Sequence, residues 1–343
     1  MNYIWNLKDL AKVEKNGYKV FSCFSCGGGS SMGYKLAGYE VIGNCEIDPK
    51  MNEMYLKNFS PKYSYLMGVQ DLYKQKDLPK ELFDLDILDG SPPCSTFSTV
   101  GLREKVWGKK KQFREGQEKQ VLSDLFFEFL NVAELLKPKI IVAENVTGII
   151  KGNAKGYINL IAKRFDELGY TLQIFQLNGA TMGVPQKRER VFFIGSKKDL
   201  NFPKIKLEFN EKPILYEEFA DDNCKLLSTE SLTYKRWLKR KSTDRNIKAI
   251  VLRTEKNKIS GFSCGFFRLK EVPLTITANG TLLRYDKPGT LSDKDIITIS
   301  TFPQDYNFNK QGVQYVCGMS VPPLMMYGVS KQVQLQLLDK LTK

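Results

Sequence analysis

"YKVFSCFSCGGGSSMGYKLAGYEVIGNCEID", residues 18–48, decides the class of fold. "YKVFSCF" is apolar and β-prone, and "CGGGSS" breaks it. "SSMGYKLAG" reads as a short helix, with a serine available as N-cap and Gly38 as stop. "YEVIGNCEID" is the next strand, with Glu46 near its end. Strand, glycine turn, helix and strand make a nucleotide-type βαβ opening, where glycines let a ligand approach the backbone at the helix start. Gly27, Gly28, Gly29 and Gly33 do not fit G-x-G-x-x-G. An acid at a strand end 19 residues after Gly27 suits ribose hydroxyls; a plain tight turn with a surface glutamate is the alternative.

Later segments repeat the pattern. "LFDLDIL" (Leu82 to Leu88) reads as a strand that ends at "DGSPPC". "SDLFFEFLNVAELLK" (Ser123 to Lys137) has a serine cap, helical apolar spacing and Pro138 as terminator. "KIIVAENV" is a buried strand with Glu144 and Asn145 at its far end. In open parallel sheets ligands gather beyond the carboxyl ends of the strands. The glycine turn, Glu46, Cys94 and Glu144 all fall there, so Cys94 reads as a reagent, although a free cysteine in a proline-rich turn is often a buried, idle one. "YTLQIFQLNGATMGVPQKRERVFFIG" reads as a hairpin with Gln186, Arg188 and Arg190 on one face at period two, or as an edge guarded by charge. From about Asn210 the pattern is irregular, and the chain ends in a helix, "VPPLMMYGVSKQVQLQLLDKLTK".

Composition restricts the chemistry. The 343 residues are 42% hydrophobic and 12% aromatic, as in a globular protein of two domains. No stretch approaches a membrane span or a secretory signal. The absence of histidine removes Ser-His-Asp and Cys-His hydrolases and every histidine-ligated metal. Cys23 and Cys26 form one CxxC without a second pair, so no metal is expected. Seven irregularly spaced cysteines fit a reducing interior rather than a disulfide framework. The formal charge of +14 resides in two blocks, +10 over Ser231–Lys270 and +4 over Gly101–Gln120. Two basic blocks on a neutral body suggest a polyanion held from two sides, against the usual solvated face. "KRWLKRK" (Lys235 to Lys241) also has the form of a targeting signal, a weaker reading.

Together these segments resemble the DNA cytosine-5 methyltransferases, over most of the chain and in the family's order. "FSCGGG" (Phe24, Ser25, Cys26, Gly27, Gly28, Gly29) resembles the cofactor loop, Glu46 and then Ile47 the ribose-binding acid and its neighbour. "SPPC", with Pro92, resembles the nucleophile loop, "ENV" (Glu144 to Val146) the acid motif and "QKRER" (Gln186 to Arg190) the arginine motif. "GMSVPP" (Gly318 to Pro323), with Met319, Ser320 and Val321, resembles the closing motif that returns to the cofactor site. The chain departs from the family at Ser22 (an acid there), Cys26 (a glycine), Ser95 (a glutamine) and Met319 (an asparagine). Asp71 in "GVQDL" stands for the acid against the adenine ring.

The resemblance implies an α/β Rossmann-like S-adenosylmethionine-dependent methyltransferase fold, mostly parallel with helices on both faces, plus a smaller, irregular, mainly β target-recognition domain. Residues 1–205 would form the catalytic and cofactor-binding domain, 206–304 the target-recognition domain, and 305–343 the segment returning to the first. Cys94 would attack carbon 6 of a flipped-out cytosine, with Glu144 at ring nitrogen N3, Asn145 supporting it, Arg190 at O2, and Arg188 nearby for phosphate or adduct charge. Ser95, Ser98, Arg103, Lys109, Lys110 and Lys111 after the nucleophile, and Lys235, Arg236, Lys239, Arg240 and Lys241 in the larger basic block, would contact duplex DNA. A cytoplasmic, monomeric protein of bacterial or phage type is implied, with S-adenosylmethionine as cofactor and a cognate restriction endonuclease as a further partner. A tRNA cytosine methyltransferase and a catalytically silent nucleic-acid-binding relative are the alternatives.

Overall fold

Seven apolar runs of the chain join in one sheet. The computed structural model describes residues 2–93, 110–111, 120–121, 125–151, 155–255 and 265–341. Its main strands are β1 (Lys19–Cys23), β2 (Glu40–Glu46), β3 (Tyr63–Leu66), β4 (Ile87–Gly90), β5 (Ile140–Val146), β6 (Tyr170–Asn178) and β7 (Glu189–Lys197). They lie in the order β3-β2-β1-β4-β5-β7-β6. The first five are parallel, and β7 runs antiparallel between β5 and β6. The order reverses between β1 and β4, the position at which an open α/β sheet leaves a crevice beyond its strand ends.

The helices are α1 (Gly29–Leu36), α2 (Pro49–Phe59), α3 (Val69–Leu72), α4 (Leu125–Leu136), α5 (Lys155–Glu167), α6 (Leu232–Leu238), α7 (Ile247–Thr254), α8 (Asp293–Ile299), α9 (Val313–Met319) and α10 (Pro323–Gln336). Because successive strand residues face opposite sides, the sheet divides two cores. Val20, Ile87, Ile140, Val142, Phe192 and Ile194 pack with residues of α1 and α10 on one side. Phe21, Leu88, Ile141 and Phe193 pack with residues of α4 and α5 on the other. The same alternation places Ser22, Asp89, Glu144 and Arg190 on the α1 side of the sheet's carboxyl end.

Local expectations changed in three places. The strand expected over Leu82–Leu88 begins only at Ile87, because Lys80–Phe83 turns as a short 3-10 helix that buries Leu82. No serine caps α1: Gly28, at φ +72°, is its N-cap. Ser30 Oγ donates instead to Asp89, and Ser31 Oγ accepts from Tyr55 Oη. The stretch 206–304 is not mainly β among the described residues. Its named strands are two-residue pieces, Lys225–Leu226 against Gly289–Thr290, beside α6, α7 and α8. The basic block lacks period-two alternation, and Asn246 and Ser231 side chains cap short helices there. The hairpin reading holds, but β7 is an inner strand rather than a charged edge.

The C-terminal helix lies on α1. Gly33 makes that approach possible: a Cβ there would stand 2.5 Å from Met326 Cβ and 2.6 Å from the Pro323 carbonyl oxygen. Among the described residues no helix is long and apolar enough to cross a membrane. Gly33→Val should therefore lower unfolding stability by about 1–3 kcal/mol through overpacking, read as a reduced urea midpoint with an unchanged slope.

Candidate active site

The glycine turn between β1 and α1 is bent by left-handed backbone at Phe24 (φ +54°), Cys26 (φ +43°) and Gly28 (φ +72°). A bend this tight turns the Cys26 N–H onto Glu46 Oε2 at 2.8 Å, while Asp48 N donates to Glu46 Oε1 at 2.9 Å. Glu46 is 7% exposed, and burial raises its pKa against the backbone N–H bonds that favour its charged form. Ser25 N reaches the Cys45 carbonyl at 3.4 Å, and the Phe24 ring lies tilted against Phe129. Ile47, half-buried, follows the acid before Asp48 caps α2. Cys26 is no thiolate: burial, with Glu46 adding, pushes it up to about 12.

The closing motif forms a wall of this turn. A Cβ on Gly29 would strike the Val321 carbonyl oxygen, and one on Gly27 would stand 2.6 Å from Val316. Tyr306 Oη donates to the Gly27 carbonyl at 2.7 Å. Ser320 and Val321 are buried; Met319, 44% exposed, is the open member of the trio. Asp71 lies in the first turn of α3, the short helix after β3, and pairs with Lys74 at 3.4 Å.

Across the switch point, Asn145 Nδ2 donates to the Pro92 carbonyl at 3.1 Å, which ties the end of β5 to the segment leaving β4. Glu144 Oε1 meets Arg190 Nε at 2.8 Å, an ion pair between two largely buried side chains. Cys94, Ser95, Ser98, Arg103 and Lys109 lie outside the described residues. Lys110 and Lys111 are described by backbone, as a two-residue ladder with Gln120–Val121. Arg188 points elsewhere than its neighbour. It is 2% exposed and donates to the carbonyls of Ile276 (3.1 Å), Gly318 (3.1 Å) and Ser320 (2.9 Å). Burial lowers its pKa, with Arg190 adding and Glu144 opposing.

Two features escaped the reading of the sequence. Asp89, two residues after Ile87 on a buried strand, accepts hydrogen bonds from Ser22, Ser30 and Tyr34. Period two alone places it inward, and that was the available signal. In the larger basic block, Arg236 is chelated by Glu255 at 2.9 and 2.8 Å, and Arg240 lies 3.2 Å from the centre of the Trp237 ring. Lys235, Lys239 and Lys241 are exposed.

A family model described as C-5 cytosine-specific DNA methylase matches residues 18–335. The chain belongs to that family. Among its relatives, Type II methyltransferase M1.HphI of Haemophilus parahaemolyticus is 28% identical over 330 residues, spanning 90% of this chain and 85% of that protein. Type II methyltransferase M.FnuDI of Fusobacterium nucleatum is 27% identical over 350 residues, 94% and 96% of the two chains. A solved structure described as a DNA modification methyltransferase encoded within an E. coli prophage shares the fold. Its TM-score is 0.68 at 18% identity, over 94% of this chain and 100% of that one.

Lysine has one ammonium where arginine has a planar fork, so Arg188→Lys cannot reach three carbonyls together. The substitution should cost about 2–4 kcal/mol in urea unfolding and speed amide exchange in residues 313–322.

Proposed function

We propose that this protein methylates carbon 5 of cytosine in duplex DNA through a covalent adduct with Cys94, using S-adenosylmethionine. The observation that carries this reading is the convergence at one switch point of the Glu46-braced turn, the Asn145–Pro92 tie and the Glu144–Arg190 pair. The turn suits the cofactor's chemistry: a carboxylate offers about four lone-pair sites, so the backbone N–H bonds on Glu46 leave acceptors for ribose hydroxyls. S-adenosylmethionine supplies an electrophilic methyl group when bound.

Carbon 5 of cytosine is a poor nucleophile until the ring is converted to an enamine, which addition of the Cys94 thiolate across the carbon 5–carbon 6 double bond, at carbon 6, accomplishes. Glu144 donates a proton or hydrogen bond to N3 and so stabilises the adduct, while Arg190, paired with Glu144, faces O2. Once carbon 5 holds the methyl group, loss of its proton expels the thiolate and restores the ring. Asn145 keeps Pro92 in place, so the chain reaches Cys94 from a fixed start. A cytosine inside a duplex is out of reach and must be flipped. Residues 1–205 with 305–343 are assigned to this chemistry, and 206–304 to target reading.

Duplex DNA with 5-fluorocytosine at the target should trap the protein, since fluorine cannot leave as a proton. Cys94→Ala should abolish trapping and methylation and still bind S-adenosylmethionine. Methylation by Cys94→Ala at the wild-type rate would falsify the adduct, and transfer to folded tRNA in preference to duplex DNA would change the substrate.

Lys235, Lys239 and Lys241 are outward cations of their block. Replacing all three by Gln should flatten the slope of log K for DNA against log salt by about 1–2, since each neutralised phosphate contributes about 0.9. An unchanged slope would return them to plain solvated surface.

A further inference from the structure

Beneath the glycine turn lies a carboxylate for which the chemistry above has no use. Asp89 is 1% exposed, and its register partner across the β1–β4 ladder is Ser22. Ser22 Oγ and Ser30 Oγ donate to its Oδ2 at 2.8 and 2.7 Å, and Tyr34 Oη to its Oδ1 at 3.3 Å. Ser22 stands two residues before Phe24, Ser30 follows Gly29 in the first turn of α1, and Asp89 itself is five residues ahead of Cys94. One side chain thus joins both ends of the turn to the strand that leads to the nucleophile.

None of these partners is a cation. The titratable groups that interact electrostatically with Asp89 are Tyr34 on α1, Tyr55 on α2, Glu144 on β5 and, through the sheet, Cys23 on β1. Register explains the last: Asp89 pairs with Val142, so Glu144 is its diagonal neighbour on the same face, itself ion-paired to Arg190. An acid surrounded by neutral groups and a second acid is costly to bury ionised, and an amide of the same shape is cheaper. Ionised, however, a carboxylate only accepts, so it turns three hydroxyl donors inward at once and holds a negative charge where the dielectric is low.

We propose that Asp89 is a positioning residue for the cofactor, fastening the turn and the start of α1 to β4 and placing a buried negative charge that favours the cationic sulfonium donor over its neutral thioether product. This rests on the reading of the protein as an S-adenosylmethionine-dependent methyltransferase. It also sets a pH dependence. Burial raises Asp89 to about 7, opposed by its three hydroxyl bonds and reinforced by Glu144. Below that pH the acid is neutral and does not distinguish donor from product; as pH rises through it, the charge and the preference appear. By linkage, binding of the sulfonium draws the group to its ionised form and releases a proton near neutral pH, whereas the product does not.

Calorimetry on the full chain without DNA tests this, with S-adenosylmethionine and S-adenosylhomocysteine at pH 6 and pH 8 in two buffers of different ionisation heat. In the wild type the ratio of product Kd to donor Kd should rise on the order of ten-fold between the two pH values. Donor binding alone should release a proton. Asp89→Asn, whose hydroxyl partners can rotate to suit an amide, should bind both ligands with a ratio independent of pH. A flat wild-type ratio, equal proton release for the two ligands, or the same rise in Asp89→Asn would overturn the assignment. Should Asp89→Asn fail to fold, the wild-type ratio and proton count still decide. Binding of neither ligand, with no 5-methylcytosine formed, would instead overturn the methyltransferase reading and this proposal with it.

Discussion

The guanidinium of Arg188 joins stretches that the chain keeps nearly ninety residues and more apart. Its donors end on the carbonyls of Ile276, Gly318 and Ser320, and two residues earlier Gln186 bonds both Ile276 N and the Ile299 carbonyl. Burying a cation is expensive, and bonds to several carbonyls offset that cost only while all stay in place. Ser320 and Val321 can then stand against Gly27 and Gly29, which in turn fixes the Cys26 N–H that meets Glu46. The period-two array reads inward at Gln186, Arg188 and Arg190 and outward at Lys187 and Glu189. One strand entry therefore supplies a structural tie and the arginine beside Glu144.

Much of the central sheet was legible, because buried strands announce themselves in short apolar runs and turns in their glycines. Glu46 and Glu144 were legible for the same reason, as charged residues closing apolar strands. What eluded the sequence depends on partners distant along the chain. Ser30 looks like a helix cap until Asp89, 59 residues on, takes its hydroxyl. Arg188 and Arg190 look equivalent until carbonyls around 318 claim one of them. Leu82 carries the apolar character of a strand yet serves the core from a 3-10 turn, since periodicity over so short a run does not distinguish the two.

The stretch 206–304 was read from its charge, and charge hides the difference between its two kinds of cation. Arg240 lies between Trp237 and Tyr285, Arg268 stacks 3.7 Å from the Tyr285 ring centre, and Arg284 is buried against Asp286. Trp237 Nε1 completes the group on the Arg284 carbonyl. Planar guanidinium groups stack on rings and fork onto carbonyls, so a basic composition can build a small core. The lysines at 235, 239 and 241 point outward instead, as do Arg245 and Lys270.

The wall that Val321 raises against Gly29 has a consequence in time. Roughly 290 residues separate the two, which at about 5–20 residues per second is a delay of about 15–60 s during synthesis. Throughout that interval the strands and α1 can fold while the face that α10 will cover, with Gly33 and the glycine turn, stands open. A segment made long afterwards thus closes the turn, so a nascent chain halted short of residue 320 holds the turn without its wall.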